Sequence, residues 1–252
     1  MIAAARKAGR ALARDFGEVE NLQVSKKGPA DFVSAADLRA EQILFDELSK
    51  ARPGYGFLME ERGEVPGTDK TNRFIVDPLD GTLNFLHGLP HFAISLALER
   101  EGRLVAGVVY DVAKDELFWA EHGHGAYLKD RRLRVAARSD LKTAIIATGI
   151  PFHGAGDYPL FAAELERLAP NVAGVRRWGV ASLDLAYVAA GRFDGYWERG
   201  LKPWDIAAGA VIVREAGGFA RELDGGDFMQ TGAVLASNES LFAPLQKALR
   251  RQ

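Results

Sequence analysis

The segment FIVDPLDGTLNFLHG, Phe74 to Gly88, holds two carboxylates three residues apart, Asp77 and Asp80. Pro78 fixes its own φ and biases Asp77 toward an extended conformation, so Asp77 is expected to end a strand and Asp80 to sit on the turn that follows. In that geometry both side chains and the Leu79 carbonyl can converge on one point. Gly81 allows close backbone approach, and Thr82 can start a helix whose free N–H groups make an anion site. Cation ligands and anion ligands then stand side by side, as a divalent metal bound to a phosphate requires. Asp-Pro and Asp-Gly pairs also form ordinary turns, and alone such a segment is a turn more often than a site.

Two further segments add carboxylates. FLMEER places Glu60 and Glu61 at the end of an apolar, strand-like run, where paired acids by themselves make a charged loop. KPWDIAAGAVIVREAGG places Asp205 at the start of a small, apolar helix, where it could simply favour the helix N-terminus. Together the segments supply Glu60, Asp77, Asp80 and Asp205, all oxygen donors with no histidine or cysteine among them. Hard oxygen ligands suit Mg²⁺ or Mn²⁺ better than zinc.

Four blocks carry a resemblance to the inositol monophosphatase family of metal-dependent, lithium-sensitive phosphatases: DFVSAAD at Asp31–Asp37, MEE at Met59–Glu61, DPLDGTLNFLHG at Asp77–Gly88, and WDIAAGAVIVREAGG at Trp204–Gly218. The resemblance covers nearly the whole chain. It implies that Glu60, Asp77 and the Leu79 carbonyl hold a first Mg²⁺, that Asp77, Asp80 and Asp205 hold a second, and that Glu60 helps to hold a third. Mn²⁺ is the alternative metal. It further implies that Gly81 and Thr82 bind phosphate oxygens through backbone N–H groups, and that Thr82 and Glu60 position an attacking water, with Asp37 hydrogen-bonded to Thr82. Substrate contacts then fall on Asp80, Gly81, Thr82, Gly179, Ala181, Glu198 and Asp205. Glu198, at the end of DGYWE, would meet a hydroxyl of the organic moiety; without the resemblance, a surface acid ending a strand is as good a reading of that residue. Lys26 matches a basic residue near the third metal. Two metals of this kind clamp the attacking and leaving oxygens of an in-line displacement.

The expected activity is therefore Mg²⁺-dependent hydrolysis of myo-inositol monophosphate. Histidinol phosphate and other small phosphomonoesters, nucleotides included, remain alternatives within the same chemistry. A transcription-machinery partner with incidental phosphatase activity, associated with RNA polymerase, is an alternative of another class. This sequence departs from the family pattern at Met59, where glycine is frequent, and at Val180, where a small or hydroxyl residue is usual. A homodimer is expected by resemblance. His87, His91 and His153 are not needed for the chemistry and read as structural or exposed.

Bulk properties agree. A formal net charge of −2 argues against a general nucleic-acid binder, and the cluster Arg131, Arg132, Arg134 and Arg138 reads as a solvated face or loop. The chain has no cysteine, which removes disulfides, thiolate nucleophiles and zinc–thiolate sites. No long apolar run suggests a membrane span. The first twenty residues read as an amphipathic helix of the fold and not as a signal peptide, so the cytoplasm is the expected location.

Helices are expected over 2–19, from about 37 to 51, over 157–169 and 181–191, within 204–218, and over 239–250. Strands are expected at GFLME, RFIVD, HFAISLALER, RLVAGVVYD, DELFWAE, AIIATGIPF, DGYWE and AVLAS, with HGHGAYLKD read as turns. Helices, then a strand-rich stretch, then alternating elements suggest stacked layers of helix and sheet. The family resemblance makes this an α+β, layered α-β-α-β-α sandwich. A provisional boundary near residue 140 separates an N-terminal α+β half, 1–140, with most metal ligands from a C-terminal α/β half, 141–252, with Asp205 and the substrate contacts.

Overall fold

The computed structural model describes residues 1–18, 24–28, 31–151 and 156–250, with backbone alone over 24–28 and 31–34. The side chain of Lys26, and His153 entirely, lie outside the described residues.

The outer helical layer is α1 (Ile2–Phe16) and α2 (Ala35–Ala51), with the short antiparallel pair β1 (Val24–Gly28) and β2 (Asp31–Ser34) between them in sequence. Ala4, Ala5, Ala8, Ala11 and Leu12 lie on the buried side of α1, the spacing of one helical face. This layer covers a sheet built from β3 (Gly56–Met59), β4 (Gly63–Val65), β5 (Asn72–Asp80), β6 (Ala93–Arg100), β7 (Arg103–Asp111), β8 (Glu116–Glu121), β9 (Gly125–Leu128) and β10 (Arg131–Arg132), in the order β10-β9-β8-β7-β6-β5-β3-β4. The short helix α3 (Thr82–Leu86) follows β5.

The second sheet has β11 (Ile145–Thr148), β12 (Gly174–Arg176), β13 (Gly195–Glu198), β14 (Phe219–Glu222) and β15 (Val234–Ser237), in the order β12-β11-β13-β15-β14. Helix α4 (Tyr158–Leu168) lies against the C-terminal helix α8 (Glu239–Leu249) on its outer side. Between the sheets run α5 (Ala181–Ala189) and α6 (Pro203–Glu215); α7 (Phe228–Thr231) is a single turn. Every residue of α5 is buried, and α6 is apolar on nearly all sides. A helix that is hydrophobic all round belongs between two layers, and here that placement sets the α-β-α-β-α order of the expected sandwich.

Two expectations need correction. HGHGAYLKD contains the strand β9, paired antiparallel with β8; its apolar alternation is only four residues long and is masked by flanking glycine and histidine. β5 does not stop at Asp77 but continues to Asp80.

Candidate active site

Along β5, Asp77 stands opposite Ser95 of β6, and Asp80 stands opposite Ala93. Three steps on one strand are met by two on the other, which makes a β-bulge. Residues three apart on a regular strand face opposite sides; the one extra residue returns Asp77 and Asp80 to the same side. A bulge thus does what a turn was expected to do. Pro78 is tolerated there because a bulge interrupts the ladder in which its missing N–H would be needed. The Leu79 N–H donates to Asp77 Oδ1 at 2.9 Å and fixes that carboxylate.

Glu60 follows β3, which pairs in parallel with β5 through Met59 and Val76. Its N–H donates to the Val76 carbonyl at 3.1 Å, so the ladder runs one step further and sets Glu60 alongside Asp77. On the opposite side of β5, Ser95 Oγ donates to the Trp204 carbonyl at 2.9 Å. That bond pins the first turn of α6 against the strand, with Asp205 the next residue. Asp205 Oδ2 accepts from the Lys202 N–H at 2.7 Å, so the helix-capping role open to it from sequence is also present.

Thr82 Oγ1 lies 3.1 Å from Asp37 Oδ1 and 3.0 Å from the Leu79 carbonyl. Asp37 is buried in the first turn of α2. Gly81 has φ 92°, and a Cβ there would stand 2.7 Å from Val180 Cγ2; only glycine fits this turn without strain. Asp80 Oδ2 accepts the Ser182 N–H from the first turn of α5 at 2.8 Å, and the Gly81 N–H also acts on the Asp80 carboxylate. The expected phosphate donor Gly81 is thereby also a holder of Asp80. Gly179 adopts φ 74° just before α5, and Ala181 opens that helix. Glu198 ends β13, where the Tyr196 hydroxyl donates to Oε2 at 2.7 Å. A Cβ on Gly149 would overlap the Glu198 carboxylate, so that glycine makes room for it.

The electrostatics follow from this crowding. Burial, and then the charges of Glu60, Asp80 and Asp205, lift the Asp77 carboxyl well above its ordinary range. Asp205 is raised by burial and then by Asp80, with Glu60 and Glu198 adding to it. Burial pushes Asp80 to about 6 against the pull of the Ser182 N–H. Buried carboxylates that repel one another are stabilised by positive charge. Among the described residues no three acidic or histidine side chains already close on a common point as ligands, and it is the chemistry of the donor set, four carboxylates beside a backbone carbonyl, that fits a hard divalent cation.

The chain matches the profile described as "Inositol monophosphatase family" over residues 1–252. It belongs to that family. An "Inositol-1-monophosphatase" of Mesorhizobium japonicum is 60% identical over 252 residues, covering 100% of this chain and 95% of the relative. The crystal structure of the "extragenic suppressor protein suhB" of Bartonella henselae superposes with a TM-score of 0.97 at 57% identity, covering 100% of this chain and 97% of that one. The "Nus factor SuhB" of Escherichia coli is 44% identical over 238 residues, 94% of this chain and 89% of the relative. Members of the inositol monophosphatase family are generally metal-dependent.

Against the family pattern, Met59 is fully buried in the core beneath α1 and α2, paired with Gly63 and Val76. Val180 is fully buried as the residue before α5, in contact range of Gly81. His87 is exposed; His91 is half-buried, its Nδ1 3.2 Å from Lys114 Nζ, and burial followed by the Lys114 charge lowers it to about 4. Three residues that sequence reasoning missed tie the halves of the site together: Ser95, Ser182 and Asn84, whose Nδ2 donates to the carbonyls of His91 and Trp178 at 2.9 Å each. Asn84 lies inside the DPLDGTLNFLHG block, which was its only signal. Ser95 and Ser182 act on partners 109 and 102 residues away, pairings that no local pattern announces. Among the described residues no helix is long and apolar enough to cross a membrane.

Proposed function

We propose that this chain hydrolyses myo-inositol monophosphate to inositol and inorganic phosphate. The observation that carries this reading is the placing of Glu60, Asp77, Asp80 and Asp205 near enough around the β5 bulge to raise one another's carboxyls, beside Thr82, in a chain of the inositol monophosphatase family. Glu60, Asp77 and the Leu79 carbonyl would hold one Mg²⁺, Asp77, Asp80 and Asp205 a second, and Glu60 would contribute to a third, with Mn²⁺ as the alternative. When bound, such ions supply the positive charge that neutralises the phosphoryl group and the leaving oxygen. Lithium inhibition, typical of the family, is part of the same reading.

The chain's own groups do the positioning. The Thr82 hydroxyl has one proton for two acceptors. Donated to Asp37, it leaves the Leu79 carbonyl free for a cation and turns an Oγ1 lone pair toward the attacking water, which the Glu60 carboxylate also orients. Backbone N–H groups of Gly81 and Thr82 receive phosphate oxygens. Water adds to phosphorus as the ester P–O bond breaks, and no side chain bonds covalently to the phosphoryl group, in keeping with a chain that has no cysteine. Gly179, Ala181 and Glu198 border the organic moiety, with the Glu198 carboxylate accepting from a ring hydroxyl.

Phosphate release measured over inositol 1-phosphate, histidinol phosphate, 3′-phosphoadenosine 5′-phosphate and fructose 1,6-bisphosphate tests the substrate. A preference of about a hundredfold in kcat/KM for the inositol ester, near 2.7 kcal/mol of discrimination, is expected. A preference of that size for another ester would reassign the substrate.

The name "Nus factor SuhB" of the Escherichia coli relative supports a second reading, association with RNA polymerase. Recovery of polymerase with the tagged chain would favour it, and recovery of the chain alone would count against it. Self-association as a homodimer is proposed from the family and is checked by light scattering.

A further inference from the structure

Helix α2 carries two buried acids one helical turn apart, Asp37 and Glu41. Asp37 meets the Thr82 hydroxyl just after β5. Glu41 meets the turn that follows β3: its Oε2 accepts the Glu61 N–H at 2.8 Å and the Arg62 N–H at 3.4 Å. A helix rises about 5.4 Å per turn and neighbouring strands lie about 4.8 Å apart. Residues one turn apart on α2 therefore reach the ends of β5 and β3, which are paired neighbours.

Arg62 completes the arrangement. Its Nε lies 3.2 Å from Glu41 Oε1, its guanidinium sits 4.7 Å from the centre of the Phe45 ring, and it donates to Gln42 Oε1. Glu41, Gln42 and Phe45 all belong to α2. The buried carboxylate is thus paired, and its bonds to backbone N–H groups are of the stronger, charge-assisted kind. The turn it holds, Glu60, Glu61 and Arg62, carries no apolar side chain into the core. What is fixed there is the backbone on both sides of Glu60: its own N–H donates to the Val76 carbonyl, and the N–H of the next peptide donates to Glu41.

We propose that Glu41 is a positioning residue for the cation site: by holding the Glu60–Glu61 peptide to α2, it sets the direction from which the Glu60 carboxylate is offered. Asp37 acts on Thr82 from the same helix, so α2 orients both groups assigned to the attacking water. Glu41 is itself engaged with Glu61 and Arg62 and is not counted among the ligands. A cation as demanding of geometry as Mg²⁺ registers a displaced ligand as lost affinity. The inference rests on the reading of Glu60 as a cation ligand.

The test is Mn²⁺ binding to the metal-free full chain without substrate, read from the loss of the free ion's electron paramagnetic resonance signal. Glu41→Gln keeps an oxygen at the same reach and gives up the charge; its Kd is expected to stay close to the wild-type value. Glu41→Asp keeps the charge and withdraws the oxygen by one methylene, which is expected to raise Kd about tenfold; Glu41→Ala takes its place should the aspartate variant fail to fold. Leu44→Ala, which opens core space beneath the same helix, is expected to lower the unfolding temperature and leave Kd unchanged. A wild-type Kd in Glu41→Asp would overturn the proposal. An equal rise in Leu44→Ala would also overturn it, since helix stability would then be the cause, and so would an equal rise in Glu41→Gln, which would make charge and not reach the cause. Glu60→Gln separates the two levels: an unchanged Kd in that variant overturns the reading of Glu60 itself, whereas a raised Kd there beside an unchanged one in Glu41→Asp overturns only the role of Glu41.

Discussion

Ser95 and Asp77 face each other directly across β6 and β5, and the Ser95 hydroxyl reaches over to the Trp204 carbonyl at 2.9 Å. One hydrogen bond thus sets the start of α6, and with it Asp205, beside the strand that carries Asp77 and Asp80. Ser95→Ala is expected to cost about 1 kcal/mol of stability and to raise the Mg²⁺ concentration needed for half-maximal phosphate release. Thermal unfolding and a metal titration of activity check the two parts separately.

Asp205→Asn changes charge while keeping a side-chain oxygen that can accept the Lys202 N–H. The helix start should therefore survive, and the unfolding temperature should change little. Turnover is expected to fall by at least about 10²-fold, the scale on which removal of a group that stabilises transition-state charge is felt. Near-normal turnover would remove Asp205 from the cation set.

Gly81 and Val180 form a steric pair. Gly81→Ala must adopt φ 92° and bring a Cβ to 2.7 Å from Val180 Cγ2, which should destabilise the fold by about 2 kcal/mol or more. Val180→Ala in the same chain is expected to recover the clash and not the backbone strain. A double-mutant cycle on unfolding free energy measures that coupling directly.

Burial raises the Glu198 carboxyl from 4.5 to about 7. The folded chain then keeps a proton that the unfolded chain gives up, so the contribution of this group to stability falls as pH rises from its unfolded value toward about 7. In metal-free protein Glu198→Gln should show a flatter dependence of unfolding temperature on pH across that interval. Parallel curves for the two proteins would mean that Glu198 titrates alike folded and unfolded.

Much of this site was legible because its donors cluster in short motifs. DPLDGT holds two acids, a carbonyl and a helix start within six residues, and MEE and WDIAAG add Glu60 and Asp205. The bulge was not legible: Pro78 and Gly81 announce a break in regular pairing, but whether the chain turns or continues depends on the register of β6. Ser182 and Asn84 were missed for a related reason, since their hydrogen bonds join α5 to β5 and α3 to the loop before α5. The long strands β6 and β7 were readable from apolar alternation, whereas β10 and β12, two and three residues long, are too short to show a period, and β9 is hidden by the glycines and histidines that precede it.

The most direct test of the central claim is phosphate release from inositol 1-phosphate by wild type and Asp77→Asn, first in chelator and then with Mg²⁺ restored. The account predicts no turnover in chelator, full recovery of the wild type with Mg²⁺, and little recovery of the variant at any Mg²⁺ concentration, with both proteins folded throughout. Equal turnover with and without Mg²⁺, or a variant as active as the wild type, would contradict it.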